Sequence, residues 1–313
     1  TFPSILVNPN TGIAVGMASN ICSFNLGEIC NATIKRIRGD KDYLKEIKAP
    51  DFPTGGEIIY NKELFQKIYE TGKGTFYIRG KYKYDKKNNR VEIYEIPYTT
   101  TVEAIIDSII DLVKKGDVKE LTDIRDGTDK DGLKIILDLK RNTDVEQLML
   151  KLFKLTPLES NFSCNFNILI EGTPKVMGIG EILDEWIKFR VECIERQLRY
   201  DIDKEEHKLH LLKGLEKVLL DLDKAVEIVK NTEKDKDVIE NLMEYFEIDE
   251  VQANYVAEIK LRNFNKEFIL NKTKDIGKTE KEIKRLGNIL KSEKRIKNII
   301  VKDLENVIKN YDK

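Results

Sequence analysis

Few residues of this chain have the types and the spacing that a catalytic or metal site requires. Gly277-Lys278-Thr279 is similar to the end of a phosphate-binding loop, but Lys272 stands where such a loop needs its first Gly. His207 and His210 lie three residues apart on one face of a predicted helix, yet two ligands do not close a metal site, and a solvated helix face explains them as well. The sequence therefore predicts neither an ATP site nor a metal site on this chain.

No Ser/His/Asp or Cys/His arrangement is indicated either, because the chain has 2 histidines and both lie in its helical second half. The 4 cysteines lack Cys-x-x-Cys spacing, so we expect reduced thiols rather than a disulfide framework. No apolar run approaches the roughly 18 residues of a membrane span, and we expect a cytoplasmic protein. Since the first residue is Thr1 rather than Met, we expect a piece of a longer protein.

The charge balance restricts any nucleic-acid site to a local patch. Lys and Arg number 54 and Asp and Glu number 55, so the net charge is -1 and no global basic field surrounds the protein. The charged fraction is 35%, above the roughly 25% of ordinary globular chains. This composition favours long solvated helices.

The pattern of turns and apolar residues changes near the middle of the chain. Residues 1–178 contain short β-branched and aromatic runs between turns, and they predict an α+β domain. A β-hairpin is expected over 74–84 and 90–96, followed by a helix that Thr101 caps and Gly116 ends. Further strands are predicted at 118–124, 133–139 and 161–170, and a further helix at 144–155.

The second half of the chain predicts long helices. The apolar series within 215–229 steps by four and three residues, as in the seam of a coiled coil. A continuous helix over 181–230 would be about 75 Å long at 1.5 Å per residue, too long for one globular core. We therefore predict a long antiparallel coiled coil, built from 179–232 and 268–313, that carries a small all-α dimerisation tip at 233–267.

The tip is the predicted site of self-association. The returning helix is expected over 265–300, so apolar side chains at the far end of the arm would face water without a partner. We expect a homodimer with a two-fold contact at the tip. The candidate contact residues are Leu242, Phe246, Val256 and Ile259.

Ile13 stands between Gly12 and Gly16 in a stretch of small residues, and two interpretations are open. Bare glycines let the backbone approach a surface closely while one apolar side chain projects. The alternative is a tight strand-turn in which Ile13 packs in a core.

The predicted hairpin has a basic edge interleaved with aromatic residues. Lys73, Arg79 and Lys81 supply the charge, with Tyr77 between the first two and Tyr82 directly after the third. Such an edge suits contacts to backbone phosphates, and a solvated strand face is the alternative.

Several separate motifs, taken together, resemble one family. They are Phe2-Pro3, Gly12 to Ala18, Pro50 to Thr54, Thr71 to Gly74, Glu95 to Tyr98, Arg125-Asp126, Asp129 to Gly132, Gln252-Ala253 and Ile259 to Arg262. In type and order they resemble the A subunits of bacterial type IIA DNA topoisomerases, which are DNA gyrase and topoisomerase IV. Cys22-Ser23-Phe24 and Phe264-Asn265 depart from the gyrase pattern, which leaves the choice between the two open, with a lean to topoisomerase IV.

The resemblance implies an α+β tower domain beside the DNA gate, then a coiled coil that ends in a dimerising exit gate. The implied function is the DNA-binding, bending and dimerisation part of an ATP-dependent type II topoisomerase, which passes one duplex through a transient double-strand break. Ile13 matches the family position whose side chain wedges between base pairs, and Lys73, Arg79 and Lys81 would contact phosphates of the bent DNA. The implied partners are double-stranded DNA and the topoisomerase B subunit.

The resemblance also implies which chemistry lies elsewhere. The family's nucleophilic Tyr, preceded by Arg, belongs to a winged-helix domain upstream of the Phe-Pro motif, whereas Tyr200, which follows Arg199, falls in the arm helix. No catalytic residue is assigned to this chain, and ATP and Mg²⁺ are implied on the partner B subunit. The alternative from another class is a structural coiled-coil dimer protein with an α/β head and no catalysis.

Overall fold

The structure, a computed structural model, describes residues 1–130 and 132–312, so Asp131 and Lys313 lie outside it. The chain forms two compact units, which we call the sheet unit and the helical unit. The sheet unit comprises 1–187 and the segment from Val301 onward, and the helical unit comprises 188–300. The chain is thus a mixed α and β protein with a long helical part, and the division into tower, arm and tip stays a prediction.

Three antiparallel sheets lie within the described residues of the sheet unit. Their strands are β1 (Asn10–Ala14), β2 (Met17–Ile21), β3 (Glu57–Ile58), β4 (Lys73–Arg79), β5 (Lys81–Asp85), β6 (Arg90–Glu95), β7 (Leu121–Asp126), β8 (Ile135–Leu139), β9 (Glu159–Asn165), β10 (Asn167–Ile170) and β11 (Thr173–Val176). The first sheet has the strand order β1-β2-β9-β4-β3 and the second β5-β6-β8-β7, while β10 pairs with β11.

Helices connect these sheets and build the second half of the chain. They are α1 (Ser4–Val7), α2 (Leu26–Ile37), α3 (Lys62–Thr71), α4 (Val102–Lys115), α5 (Val145–Leu155), α6 (Ile179–Leu219), α7 (Leu222–Asn231), α8 (Asp235–Phe246), α9 (Glu250–Ala257), α10 (Lys266–Leu290) and α11 (Glu293–Tyr311). Among the described residues, no helix combines the length and the apolar character that crossing a bilayer requires.

Strand β4 shows why the first sheet has one buried face. Phe76 and Ile78 are buried, whereas Lys73 and Tyr77 face outward, as the two-residue period of a strand requires. On the buried side, Phe76 stacks on Phe162 of β9 with ring centres 5.5 Å apart. The first sheet therefore keeps its other face free for polar and charged residues.

The predicted hairpin over 74–84 and 90–96 is divided between two sheets. Strands β5 and β6 pair as expected, but β4 pairs with β9 along its whole length, so the prediction is wrong for that strand. The break lies at Gly80, where a Cβ would be 2.6 Å from a Leu158 methyl carbon and 2.9 Å from the Glu95 carbonyl oxygen. The chain thus changes sheets at a position where no side chain fits.

The predicted strand over 161–170 is divided as well. Phe166 separates β9 from β10 and is fully buried. Its N–H donates to the Gly72 carbonyl at 2.9 Å, and its own carbonyl accepts the Met177 N–H at 3.1 Å. The core thus fixes Phe166, and the pairing partner changes there from β4 to β11.

The predicted helix after Thr101 is confirmed as α4. The Thr101 hydroxyl accepts the Ala104 N–H at 3.2 Å, and Gly116 ends the helix with a left-handed φ of +81°. Ile105 and Ile109 are buried on the inner face of α4, in the core that the second sheet covers.

The predicted continuous helix over 181–230 consists of two helices. Helix α6 has 41 residues, a length of about 60 Å, and ends at Leu219. The Asp221 carboxylate then accepts the Lys224 N–H at 3.2 Å and begins α7. The predicted helix over 265–300 is likewise interrupted, because α10 ends at Leu290 and α11 begins at Glu293.

The end of α6 packs with α7, α8 and α9 in the core of the helical unit. Leu215, Leu242 and Ala253 are buried in that core. An ion pair between Lys213 and Glu280, 3.2 Å apart, joins α6 to α10. Helices α6 and α10 therefore meet in the helical unit, while the coiled-coil geometry stays a prediction.

Candidate nucleic-acid interface

The glycine-flanked Ile13 lies in the hairpin formed by β1 and β2. Ala14 pairs with Met17, which leaves Val15 and Gly16 as a two-residue loop. Gly16 has a φ of +82°, in the left-handed region that glycine tolerates best. The turn of the hairpin therefore accounts for glycine at position 16.

Ile13 projects into solvent. Its side chain is 88% exposed, and all five residues of β1 are exposed. The interpretation that buries Ile13 in a core is therefore wrong, and the interpretation in which one apolar side chain projects is the one that agrees with the structure.

Gly12 lies on the same exposed strand. A Cβ at this position would meet no atom within 4 Å, so packing within the described chain does not require glycine there. A bare stretch of backbone beside an exposed isoleucine suits the close approach of another molecule.

The predicted basic edge is divided by the break at Gly80. Lys73 and Arg79 occupy the two ends of β4 in the first sheet, whereas Lys81 begins β5 in the second. The rise per strand residue places Lys73 and Arg79 roughly 20 Å apart. The three cations therefore do not lie along one hairpin.

Two of the three cations are paired with carboxylates. Arg79 forms an ion pair with Glu159. Lys81 Nζ lies 3.1 Å from a Glu95 carboxylate oxygen, and this hydrogen bond raises the pKa of Lys81. Lys73 is exposed and has no carboxylate partner among the residues that the structure describes. The charge available to a phosphate is thus concentrated at Lys73.

The structure places three of the four predicted tip residues inside the core of the helical unit. Leu242, Phe246 and Val256 are 1%, 8% and 5% exposed, whereas Ile259 is half-buried. Because their side chains already fill the interior, the buried three are unsuited to a contact between two folded copies. The contact between two copies stays a prediction.

An open apolar groove lies beside that core. Its volume is about 430 Å³, and Val226 and Val229 of α7, which are 46% and 50% exposed, form one wall. Ala257, Ile259 and Phe264 also line the groove. The groove therefore exposes apolar side chains of the helical unit to solvent.

Comparison with known proteins gives the family. The family model for the A subunits of DNA gyrase and topoisomerase IV matches residues 1–305. This chain belongs to that family. It is 37% identical to the DNA gyrase A subunit of Borreliella burgdorferi, over 98% of this chain and 39% of the relative. It is 34% identical to the DNA gyrase A subunit of Ureaplasma parvum, over 100% of this chain and 36% of the relative.

A plant relative extends the comparison. The chain is 33% identical to the probable chloroplastic/mitochondrial DNA gyrase A subunit of Oryza sativa, over 96% of this chain and 33% of the relative. The chain thus spans less than two fifths of the length of these curated relatives.

Membership of the gyrase and topoisomerase IV A-subunit family bears on two questions that the sequence left open. A structural coiled-coil protein without catalysis is not favoured, because the family match extends over both units of the chain. The lean to topoisomerase IV gains no support, since these relatives are named as gyrase subunits and the family model covers both enzymes.

Sequence reasoning missed three asparagines that join the Ile13 hairpin to the sheet. Asn165 and Asn167 donate to the Ala18 carbonyl at 2.7 and 3.3 Å, and Asn20 donates to the Ser163 carbonyl at 2.7 Å. A signal was available, because asparagine is disfavoured in strands and so requires a reason there.

One histidine of the candidate metal pair, His210, has another role in the structure. His210 Nε2 lies 2.5 Å from an Asp249 carboxylate oxygen, and the Gln252 amide donates to the His210 carbonyl at 2.7 Å. Within residues 1–130 and 132–312 we find no group of three or more His, Cys, Asp or Glu side chains placed to hold a metal ion.

Proposed function

We propose that this chain is the part of a type II DNA topoisomerase A subunit that binds and bends a DNA duplex and joins two subunits. The observation that carries the proposal is the exposed Ile13 on the β1–β2 hairpin of a chain in the gyrase and topoisomerase IV A-subunit family. The complete enzyme would pass one duplex through a transient double-strand break in another. Its partners would be double-stranded DNA, a second copy of the same chain and a B subunit.

Ile13 would act as a wedge between stacked bases. An apolar side chain on a two-stranded ribbon can enter the minor groove, and unstacking a base step there costs a few kcal/mol. Insertion removes the exposed isoleucine from water, which offsets part of that cost. Gly12 supports this role because it lets the ribbon backbone approach the groove.

The outward face of the first sheet would contact the phosphates of the bent DNA. Lys73, which has no carboxylate partner among the described residues, supplies charge there. Arg79 engages Glu159 through Nε, so its other N–H groups remain able to reach a phosphate. Because the pairs of Arg79 and Lys81 with carboxylates carry no net charge, Lys73 would contribute most to salt-dependent affinity.

The finer architecture would be a tower over 1–178, a coiled-coil arm over 179–232 and 268–313, and an exit gate over 233–267. The contact between Lys213 and Glu280 supports the pairing of the outgoing and returning helices. A groove lined by residues of α6 and α10 supports it as well.

The exit gate, together with α7 at the end of the arm, would join two copies through the groove that both line. Val226 and Val229 are exposed and Ile259 is half-buried, so a second copy could cover them without disturbing the core. A contact of the same patch on both subunits is what two-fold symmetry requires. Continuity of the apolar groove with the core supports this choice over the buried residues.

Strand cleavage and ATP hydrolysis would take place outside this chain. By the family resemblance, the nucleophilic Tyr would belong to a winged-helix domain, and ATP and Mg²⁺ would bind to the B subunit. The enzyme would act in the cytoplasm, on the bacterial chromosome. This chain would bind, bend and position the DNA, and it would contribute no reacting group.

The test is the activity of the full-length A subunit mixed with its B partner and ATP. Supercoiling of a relaxed plasmid would identify a gyrase, and preferential decatenation of linked circles would identify a topoisomerase IV. Ile13→Ala should reduce either activity. Absence of both activities from a correctly folded complex would contradict the proposal.

A further inference from the structure

The β1–β2 hairpin is joined to the rest of its sheet by one backbone pair. Asn20 on β2 pairs with Asn165 on β9, whereas β4 and β9 pair over the whole of β4. Strand β9 ends at Asn165, and after the buried Phe166 the chain continues as β10, which pairs with β11 and lies near β2. Among the described residues, the outer half of the hairpin, which carries Ile13, therefore has no strand hydrogen-bonded to it through the backbone on that side.

Ala18 lies where β2 has no backbone pairing with β9. The two-residue loop closes with a hydrogen-bonded pair, so in the next pair, Ile13 with Ala18, the backbone groups point away from each other's strand. The Ala18 carbonyl thus faces the side on which β9 has ended. There it accepts the side-chain amides of Asn165 and Asn167, at 2.7 and 3.3 Å. Two side chains replace the ladder partner that a longer β9 would have supplied.

The orientation of the Asn165 amide follows from this contact. A carbonyl oxygen accepts hydrogen bonds, so the nitrogen of the amide must face Ala18. The Asn165 Oδ1 atom is then buried without a hydrogen-bond partner among the described residues. No partner of Oδ1 orients the amide, so its orientation is set by the hydrogen bond to Ala18. That bond is kept although leaving a buried oxygen unpaired is unfavourable.

The two asparagines are themselves held in place. They flank Phe166, whose backbone N–H and carbonyl are both hydrogen-bonded and whose side chain lies in the core. On the hairpin itself, the Thr11 hydroxyl donates to the Asn20 side-chain oxygen at 2.8 Å. The hairpin is thus attached to a rigid part of the sheet unit.

We propose that Asn165 and Asn167 are positioning residues for the Ile13 wedge. They hold Ala18, which lies directly opposite Ile13, and so fix the angle at which the hairpin leaves the sheet. Their role in DNA bending rests on the proposed function, whereas the anchoring of the hairpin does not. Without the two donors the hairpin pivots about the single Asn20–Asn165 pair. Each insertion of Ile13 between bases must then also order the hairpin, which costs free energy.

The first measurement is hairpin mobility without DNA. A nitroxide label on Val15→Cys, in a Cys193→Ser background of the full-length A subunit, reports motion at the loop. Asn165→Asp and Asn167→Asp keep the side-chain shape but replace the N–H donor with an oxygen. The control is Asn161→Asp, which makes the same charge change on the exposed face of β9. We expect about a fivefold rise in the mobile fraction for the first two variants and none for the control.

Unchanged mobility in both variants, or an equal rise in the control, would overturn the inference. Equal thermal midpoints for the variants and the control would show that the protein is folded. If Asn165→Asp fails to fold, Asn167→Asp carries the test, since it removes the longer of the two bonds.

The second measurement is DNA bending, followed by fluorescence energy transfer on a labelled duplex with the A and B subunits present. Asn165→Asp and Asn167→Asp should bend less DNA than the Asn161→Asp control. A mobile hairpin that bends DNA as well as the control would overturn the positioning role. Normal bending by Ile13→Ala would instead refute the wedge itself, while the label would still report whether the asparagines hold the hairpin.

Discussion

Arg79 on β4 forms an ion pair with Glu159, the residue directly opposite it on β9. The guanidinium carbon also lies 5.2 Å from the centre of the Phe153 ring. A cation that the sequence places on a basic edge therefore already has an anionic and an aromatic partner. The pairing changes which lysine or arginine should dominate the attraction to DNA.

Lys73→Ala should reduce the slope of log affinity for DNA against log salt concentration by about one. Each phosphate contact by a free cation releases roughly one counterion. Arg79→Ala should reduce the slope by less, since the pair with Glu159 is neutral. Binding to one duplex at several salt concentrations gives both slopes. A larger loss of slope in Arg79→Ala than in Lys73→Ala would show that the pair opens on DNA.

Ile13→Ala should leave the free energy of unfolding within about 0.5 kcal/mol of the parent, because the side chain is exposed and lost contacts are few. Ile78→Ala on β4 is the matched control, since Ile78 is fully buried and its truncation should cost about 2 to 5 kcal/mol. Denaturant unfolding measures both values. An equal loss in the two variants would place Ile13 in a core after all.

Val229→Asp should weaken self-association of the A subunit without lowering its thermal midpoint, because it puts a charge into the apolar groove but not into the core. Leu242→Ala is the contrasting variant and should lower the midpoint, since Leu242 is buried in the helical unit. Sedimentation velocity over a range of concentrations gives the association. Dimers of unchanged affinity in Val229→Asp would move the contact to another surface.

Protonation of Asp249 should make the helical unit less stable in acid. Its carboxylate accepts the Gln252 backbone N–H and contacts His210, and these interactions lower the pKa of Asp249. A carboxylate whose pKa is lower in the folded state stabilises the protein above the unfolded pKa of about 3.9, and that contribution is lost as the pH falls through the folded pKa.

Asp249→Asn should therefore flatten the fall of the thermal midpoint between about pH 5 and pH 3. Asparagine still caps the helix, so the midpoint near neutral pH should change little. His210→Gln should retain most of the acid sensitivity, because the Gln252 N–H has the largest effect on Asp249. An equal flattening in both variants would assign the pKa shift to the histidine.

Local signals in the sequence were sufficient for elements that a few neighbouring residues determine. Thr101 and Gly116 set the ends of α4, and the period of its isoleucines set the buried face. Asp221 shows the limit of this approach. It is a typical cap residue, but the apolar series continued past it, so the sequence predicted one helix where α6 and α7 are separate.

The motif order determined the family from the sequence alone, and the family model confirms it. The tertiary structure decided which of the apolar candidate residues remain accessible. Ile13 is exposed and Leu242 is buried, although both are apolar residues in patterned segments, because burial depends on which elements pack on them. Long-range pairing decided the rest. Arg79 meets Glu159 across 80 residues of sequence and Asn165 meets Ala18 across 147, and a linear pattern contains no record of such contacts.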